Sequence, residues 1–192
     1  MLNLILFGPP GSGKGTQAVK LVEQFDLLHI STGDLFRFHL ENRTELGLRA
    51  QTFINRGALV PDEVTIGMLV AAVETNPDVK GVIFDGFPRT IPQAEALDAF
   101  LKRYDDEVNR LVMLDVPDEE LVTRLLKRGK TSGRKDDANE EVIRTRLANY
   151  AAQTSPVFDY YAAKDKAVKV NGMGSIDEVF ARLSAEVGIT VS

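Results

Sequence analysis

Five short apolar runs punctuate the chain, at 2–7, 28–30, 81–85, 110–115 and 167–170. They are dense in Leu, Ile, Val and Phe and lack the polar alternation of a half-exposed strand, so they predict strands buried on both faces. Longer stretches separate them, with apolar residues three and four apart: Ala18, Leu21, Val22 and Phe25, then Ala94, Leu97, Phe100 and Leu101, then Ile176, Val179, Phe180, Leu183 and Val187. That period belongs to helices with one buried face. Strand–helix alternation of this kind predicts an α/β fold, a parallel sheet flanked by helices. Right-handed crossovers then place the functional loops at the carboxyl ends of the strands.

Two segments break the rhythm. Between 31 and 60 there is no strand pattern, only helical stretches at 33–41 and 45–56, closed by Gly57 and then Pro61, so a helical insertion is expected. The second is Gly129-Lys130-Thr131-Ser132-Gly133, flanked by Arg128 and Arg134, whose two glycines predict a mobile loop. The following Asp136-Asp137-Ala138-Asn139-Glu140 reads as the acidic, capped start of a long helix through Tyr161. The expected organisation is a core of 1–31, 61–128 and 138–192, an insertion at 32–60 and a short lid at 129–137.

Composition narrows the chemistry. With 192 residues, 44% of them apolar and 27% charged, the chain can bury one sizeable core. Its 23 Lys+Arg against 28 Asp+Glu give a net charge of −5, which disfavours a broad nucleic-acid-binding surface. The absence of cysteine excludes disulfides, iron–sulfur clusters, thiolate zinc sites and a cysteine nucleophile. No apolar run approaches the roughly 20 residues that span a bilayer. The first run is interrupted by Asn3 and has neither a basic leader nor a small-residue cleavage site, so a cytoplasmic protein without membrane partners is expected. His29 and His39 lack metal-ligand spacing and are expected at the core edge and the surface.

After the first strand comes Gly8-Pro9-Pro10-Gly11-Ser12-Gly13-Lys14-Gly15-Thr16, the Gly-x-x-x-x-Gly-Lys spacing of a phosphate-binding loop. Such a loop turns backbone N–H groups and the following helix's positive end toward an anion, and Lys14 reaches the outer phosphates. Gly15 stands where the general motif has its magnesium-ligating hydroxyl, and Thr16 brings one a residue late. Mg²⁺ is therefore expected to be held through phosphates and water, near Asp85 at the end of the third strand, with no direct protein ligand.

Gly13-Lys14-Gly15-Thr16, Ser31-Thr32-Gly33-Asp34 and Asp85-Gly86-Phe87-Pro88-Arg89-Thr90 occur in order, each after a predicted strand. In this the chain resembles the nucleoside monophosphate kinases over essentially its whole length, and adenylate kinases most closely. The resemblance implies a P-loop-type core, the insertion as the monophosphate-binding part, and reversible transfer between MgATP and AMP giving two ADP. Acceptor contacts carry over to Thr32, Arg37, the backbone at Ala58, Leu59 and Val60, Gly86, Phe87, Pro88, Arg89, Gln93, Arg134 and Arg146. Donor contacts carry over to Gly11, Ser12, Gly13, Lys14, Gly15, Thr16, Arg124, Arg128 and Gly174. Catalysis falls to Lys14, Asp85, Arg89, Arg128, Arg134 and Arg146, with Arg144 a rival to Arg146 in register. A side-chain amide at Gln93 can offer adenine both a donor and an acceptor. A zinc-clamped lid is impossible without cysteine, and a monomer is implied. The alternatives are a UMP/CMP or GMP kinase of the same family, or a nucleotide-binding switch that transfers nothing.

Overall fold

The computed structural model describes residues 1–56, 58–76 and 78–191. All five apolar runs become parallel strands: β1 (Leu2–Phe7), β2 (Leu28–Ser31), β3 (Gly81–Asp85), β4 (Arg110–Asp115) and β5 (Ala167–Asn171), ordered β2-β3-β1-β4-β5. The helices among the described residues are α1 (Lys14–Phe25), α2 (Thr32–Glu41), α3 (Glu45–Ile54), α4 (Asp62–Glu74), α5 (Ile91–Lys102), α6 (Asp118–Ser132), α7 (Glu140–Asn149), α8 (Pro156–Ala162) and α9 (Ile176–Val191). None is long and apolar enough to cross a membrane.

Alternate residues of one strand face opposite sides of the sheet, and β1 serves two cores in this way. Leu4 and Leu6 pack with Ala18 and Leu21 of α1 and with Val179, Leu183 and Val187 of α9. Ile5 and Phe7 face the other way, onto Leu69 and Val73 of α4, Ala94, Leu97 and Phe100 of α5, and Val157 and Tyr161 of α8. Each fully buried side chain of this size contributes about 1.5–3 kcal/mol.

The segment from α2 through α3 leaves the sheet after β2 and builds a separate small core from Phe36, Ala50 and Val60, with Phe53, Ile54, Val64 and Met68 against it. Both helices are capped as their sequences dictate: Ser31 Oγ accepts from Asp34 N–H, and Thr44 Oγ1 from Gly47 N–H. Gly57, expected to close α3, lies outside the described residues.

Two expectations need revision. The 129–132 segment is the last turn of α6, with the break at Gly133 in the left-handed region. Gly129 serves close approach, since a Cβ there would lie 2.4 Å from the Asp137 carbonyl oxygen. The long helix expected from Asp136 is also divided. Asp136 and Asp137 lie in a 3₁₀ turn (Lys135–Asp137), and α7 starts at Glu140, where Asn139 accepts from Glu141 N–H. A π-helical turn, Tyr150–Thr154, then precedes Pro156 at the start of α8. Proline clashes with the carbonyl four residues back and lacks an N–H. The chain widens there, and Ser155 N–H bonds Tyr150 O, five residues back, at 2.7 Å.

Candidate active site

The segments following all five strands meet along one edge of the sheet, so the motifs separated in sequence converge. At β1 the loop is shaped by Gly8, Gly11 and Gly13, all at positive φ. Gly11 has a second constraint: a Cβ would sit 2.9 Å from Leu125 Cγ, so only glycine lets the loop lie against α6. Gly13 caps α1 and aims the helix's positive end into the loop. Ser12 is buried with its hydroxyl unpartnered among the described residues, while Gly15 and Thr16 are exposed.

Lys14 Nζ donates to the carbonyls of Gly8 at 2.8 Å and Pro9 at 3.0 Å. Burial pushes its pKa down to about 8, opposed by Asp85 and aided by Arg89, Arg146 and Arg128. Arg89 is lowered to about 10 by the crowded walls of the cleft and by Arg146 and Arg37, with Asp85 opposing, and so stays cationic at neutral pH. Arg134 is lowered by burial and by Arg37 and Arg128. Five arginines and a lysine from separate elements therefore share one field, at the mutual cost expected of a polyanion site.

The cluster is held by few carboxylates. Asp137, fully buried, accepts from Arg128 at 2.5 and 3.0 Å and from Arg146 at 2.7 Å. Burial works to raise its carboxyl, but the two guanidiniums outweigh this and hold it below the ordinary range. Arg146 also pairs with Asp136 at 3.0 Å, while Arg144 turns outward to Glu140 and Glu119. The placement thus puts Arg146, not Arg144, in the cleft. Arg134 makes no ion pair among the described residues, and Arg37 pairs with Asp34 one turn back.

On the acceptor side, Thr32 Oγ1 donates to Gly86 O at 3.0 Å and Arg89 Nε to the same carbonyl at 2.7 Å, tying the second and third motifs together. Phe87 belongs to the sheet core at 1% exposure, so it can give the site backbone but no ring. A pocket of about 300 Å³ is lined by Arg49, Ala50, Phe53, Val60, Pro61 and Val64. Of the three backbone positions expected around the acceptor base, Val60 is in its wall and Ala58 and Leu59 are not. At the far end, a second pocket of about 520 Å³ is lined by Asp115, Pro117, Lys169, Val170, Asn171 and Met173. Arg124, paired with Glu120, donates to Gly172 O at 3.3–3.4 Å beside the exposed Gly174.

A phosphate loop and a converging cluster of cations suit phosphorylated ligands, and comparison with known proteins decides the family. The adenylate kinase family model matches residues 6–166. Adenylate kinases of Flavobacterium psychrophilum and Bacteroides fragilis are 54% and 52% identical over 184 and 180 residues, covering 96% and 94% of this chain and 97% and 95% of theirs. That of Porphyromonas gingivalis is 47% identical over 184 residues, 96% of this chain and 94% of its own. The chain belongs to the adenylate kinase family.

Within an adenylate kinase framework, three residues to which the sequence assigned no part in the site make contacts there. Asp137 looked like one more acid at a helix start. His29 Nε2 lies 3.3 Å from Asp85 Oδ2, a pairing between neighbouring strands that only their register reveals. Asp62 belongs to no motif in the sequence, yet it accepts from both Thr90 and Gln93.

Proposed function

We propose that the chain transfers the γ-phosphoryl group of MgATP to AMP, reversibly, to give two ADP. The observation that carries this reading is the shared field of Lys14, Arg37, Arg89, Arg128, Arg134 and Arg146 between two pockets. A switch that merely binds one nucleotide has no use for cations contributed from both ends.

Gly11, Ser12, Gly13, Gly15 and Thr16 wrap the donor's phosphates by backbone N–H groups and hydroxyls, and Lys14 reaches the outer ones. Arg124 and Gly174 border the donor base. Thr32, Arg37, Gly86, Pro88 and Arg89 receive the acceptor phosphate, and Val60 and Gln93 its base. Arg128, Arg134 and Arg146 surround the group in flight. Phosphoryl transfer asks chiefly for in-line positioning and for positive charge around the transferring oxygens. The acceptor phosphate is already ionised at neutral pH, so no general base is required.

Among the described residues no three His, Cys, Asp or Glu are grouped to hold a metal. A single carboxylate, Asp85, ends β3 near Lys14 at 8% exposure. That donor set suits Mg²⁺, which keeps most of its waters and takes phosphate oxygens. When bound it would neutralise charge developing between the β- and γ-phosphates, with Asp85 holding its water shell. In keeping with its family, we take the working unit to be a monomer acting in the cytoplasm.

The test is a coupled assay with an acceptor panel. ADP should form from ATP only when AMP is added, with UMP, CMP and GMP far poorer acceptors. ADP formed from ATP alone at an equal rate would overturn the reading, and preference for another monophosphate would move it to a sister enzyme.

A further inference from the structure

Gln93 is 1% exposed, and each end of its amide is hydrogen-bonded within the protein. Its Oε1 accepts from the Arg89 backbone N–H at 2.7 Å and its Nε2 donates to Asp62 Oδ1 at 2.6 Å. The other Asp62 oxygen accepts from Thr90 Oγ1 at 3.1 Å, which in turn accepts from Gln93 N–H at 3.3 Å. The chemistry of these partners fixes which end of the amide is oxygen. An amide N–H can only donate and a carboxylate can only accept, so reversing Gln93 would oppose two donors at Arg89 and two acceptors at Asp62.

A side-chain amide carries two donors and two acceptor sites. The two internal bonds consume one of each and leave one N–H and one lone pair. Adenine offers the complement, an exocyclic amino donor beside a ring-nitrogen acceptor. Hypoxanthine and guanine offer the reverse at those positions, a carbonyl beside a ring N–H, and could be read only by an inverted amide. Asp62 follows directly on Val60 and Pro61, which line the acceptor-side pocket, so it links that wall to Gln93. A base reaches this amide only as the elements packed over it move.

We propose that Asp62 is a positioning residue for acceptor specificity: through its bond to Gln93 it locks the amide in the orientation that accepts adenine and refuses 6-oxopurines. The proposal rests on Gln93 reading the acceptor base.

Asp62 also has a structural effect to be separated from this one. It is the first residue of α4, where a negative charge suits the helix's positive end. That effect needs charge, whereas the lock needs only an acceptor oxygen. In Asp62→Asn the new side-chain oxygen could still accept from Gln93 Nε2, with its amide N–H turned toward Thr90 Oγ1. Asp62→Ala and Asp62→Asn therefore divide the two roles.

The experiment measures kcat and KM for AMP and for IMP, with Tm, for the parent, Asp62→Ala, Asp62→Asn, Gln93→Met and the double variant Asp62→Ala/Gln93→Met. For Asp62→Ala the ratio of kcat/KM for AMP over IMP should fall about tenfold, mostly through KM for AMP, as expected for losing a charge-assisted hydrogen bond. For Asp62→Asn it should stay within about threefold of the parent, although Tm falls in both. In the Gln93→Met background Asp62→Ala should change the ratio no further. An unchanged ratio in Asp62→Ala, or an equal fall in Asp62→Asn and Asp62→Ala, overturns the proposal. An unchanged ratio in Gln93→Met overturns the reading of Gln93 instead.

Discussion

The phosphate loop and the helical insertion both face the cleft, and they are supported in opposite ways. The loop runs from β1, at the centre of the sheet, into α1, with Gly11 pressed on Leu125 of α6 and Lys14 bonded back to Gly8 and Pro9. Moving it would mean disturbing a two-sided core. The insertion leaves after β2, an edge strand, and its three buried apolar residues, Phe36, Ala50 and Val60, form a cluster apart from that core. Its side chains tie back through Thr32, which donates to Gly86 O, and through Leu35, which packs on the edge of the central core. An anion site that must be ready on arrival is built into the sheet, while the part that must admit and release a second nucleotide stands on a small core of its own.

The largest way to break this contrast is to hollow each core in turn. Phe84→Ala, in β3 at 0% exposure, should cost about 3–5 kcal/mol of global stability in denaturant melts. Phe36→Ala should leave most of that stability in place, accelerate amide exchange selectively in α2 and α3, and raise KM for AMP without raising KM for ATP. Exchange accelerating equally in β1 and β3 would show that the insertion is not a separate unit.

On the loop side, Lys14→Met should lower kcat about 10²–10³-fold, the effect of deleting one preorganised charge from a transition state. Its melting temperature should not fall. Near-normal turnover would remove Lys14 from the mechanism.

A smaller effect separates the two sites by pH. With a pKa of about 8 in the free enzyme, Lys14 loses its charge as pH rises through 8. ATP affinity should decline above that point, approaching about tenfold per pH unit at the one-proton limit, and calorimetry on Lys14→Met should show no such decline. Stability moves in the opposite sense. The folded pKa lies below the ordinary lysine value, so between pH 8 and 10.5 the unfolded chain holds more protons and this group's contribution rises with pH.

Much of this was legible in the chain because its strongest signals are local. The strand runs are short, apolar and bounded by glycine and proline, and the loop around Lys14 announces itself by spacing. What stayed hidden depends on partners far along the sequence. Gly129 suggested flexibility until its contact with Asp137 showed it to be a helical residue with no room for a side chain. Asp137 read as a helix-start acid and Asp62 drew no reading at all, since nothing beside them indicates that Arg146 or Gln93 folds onto them. Phe87 sits inside a motif full of site residues, yet its ring belongs to the core.

Because the chain has no cysteine, introduced ones are unique attachment points for paired probes. The decisive measurement is the distance between probes at Asn42, at the tip of the insertion, and Lys102, at the end of α5, beside a reference pair at Lys102 and Thr123 within the core. With a bisubstrate analogue spanning both pockets, the 42–102 distance should shorten while the 102–123 distance holds. Two distances that both stay fixed, or both change alike, would contradict the account.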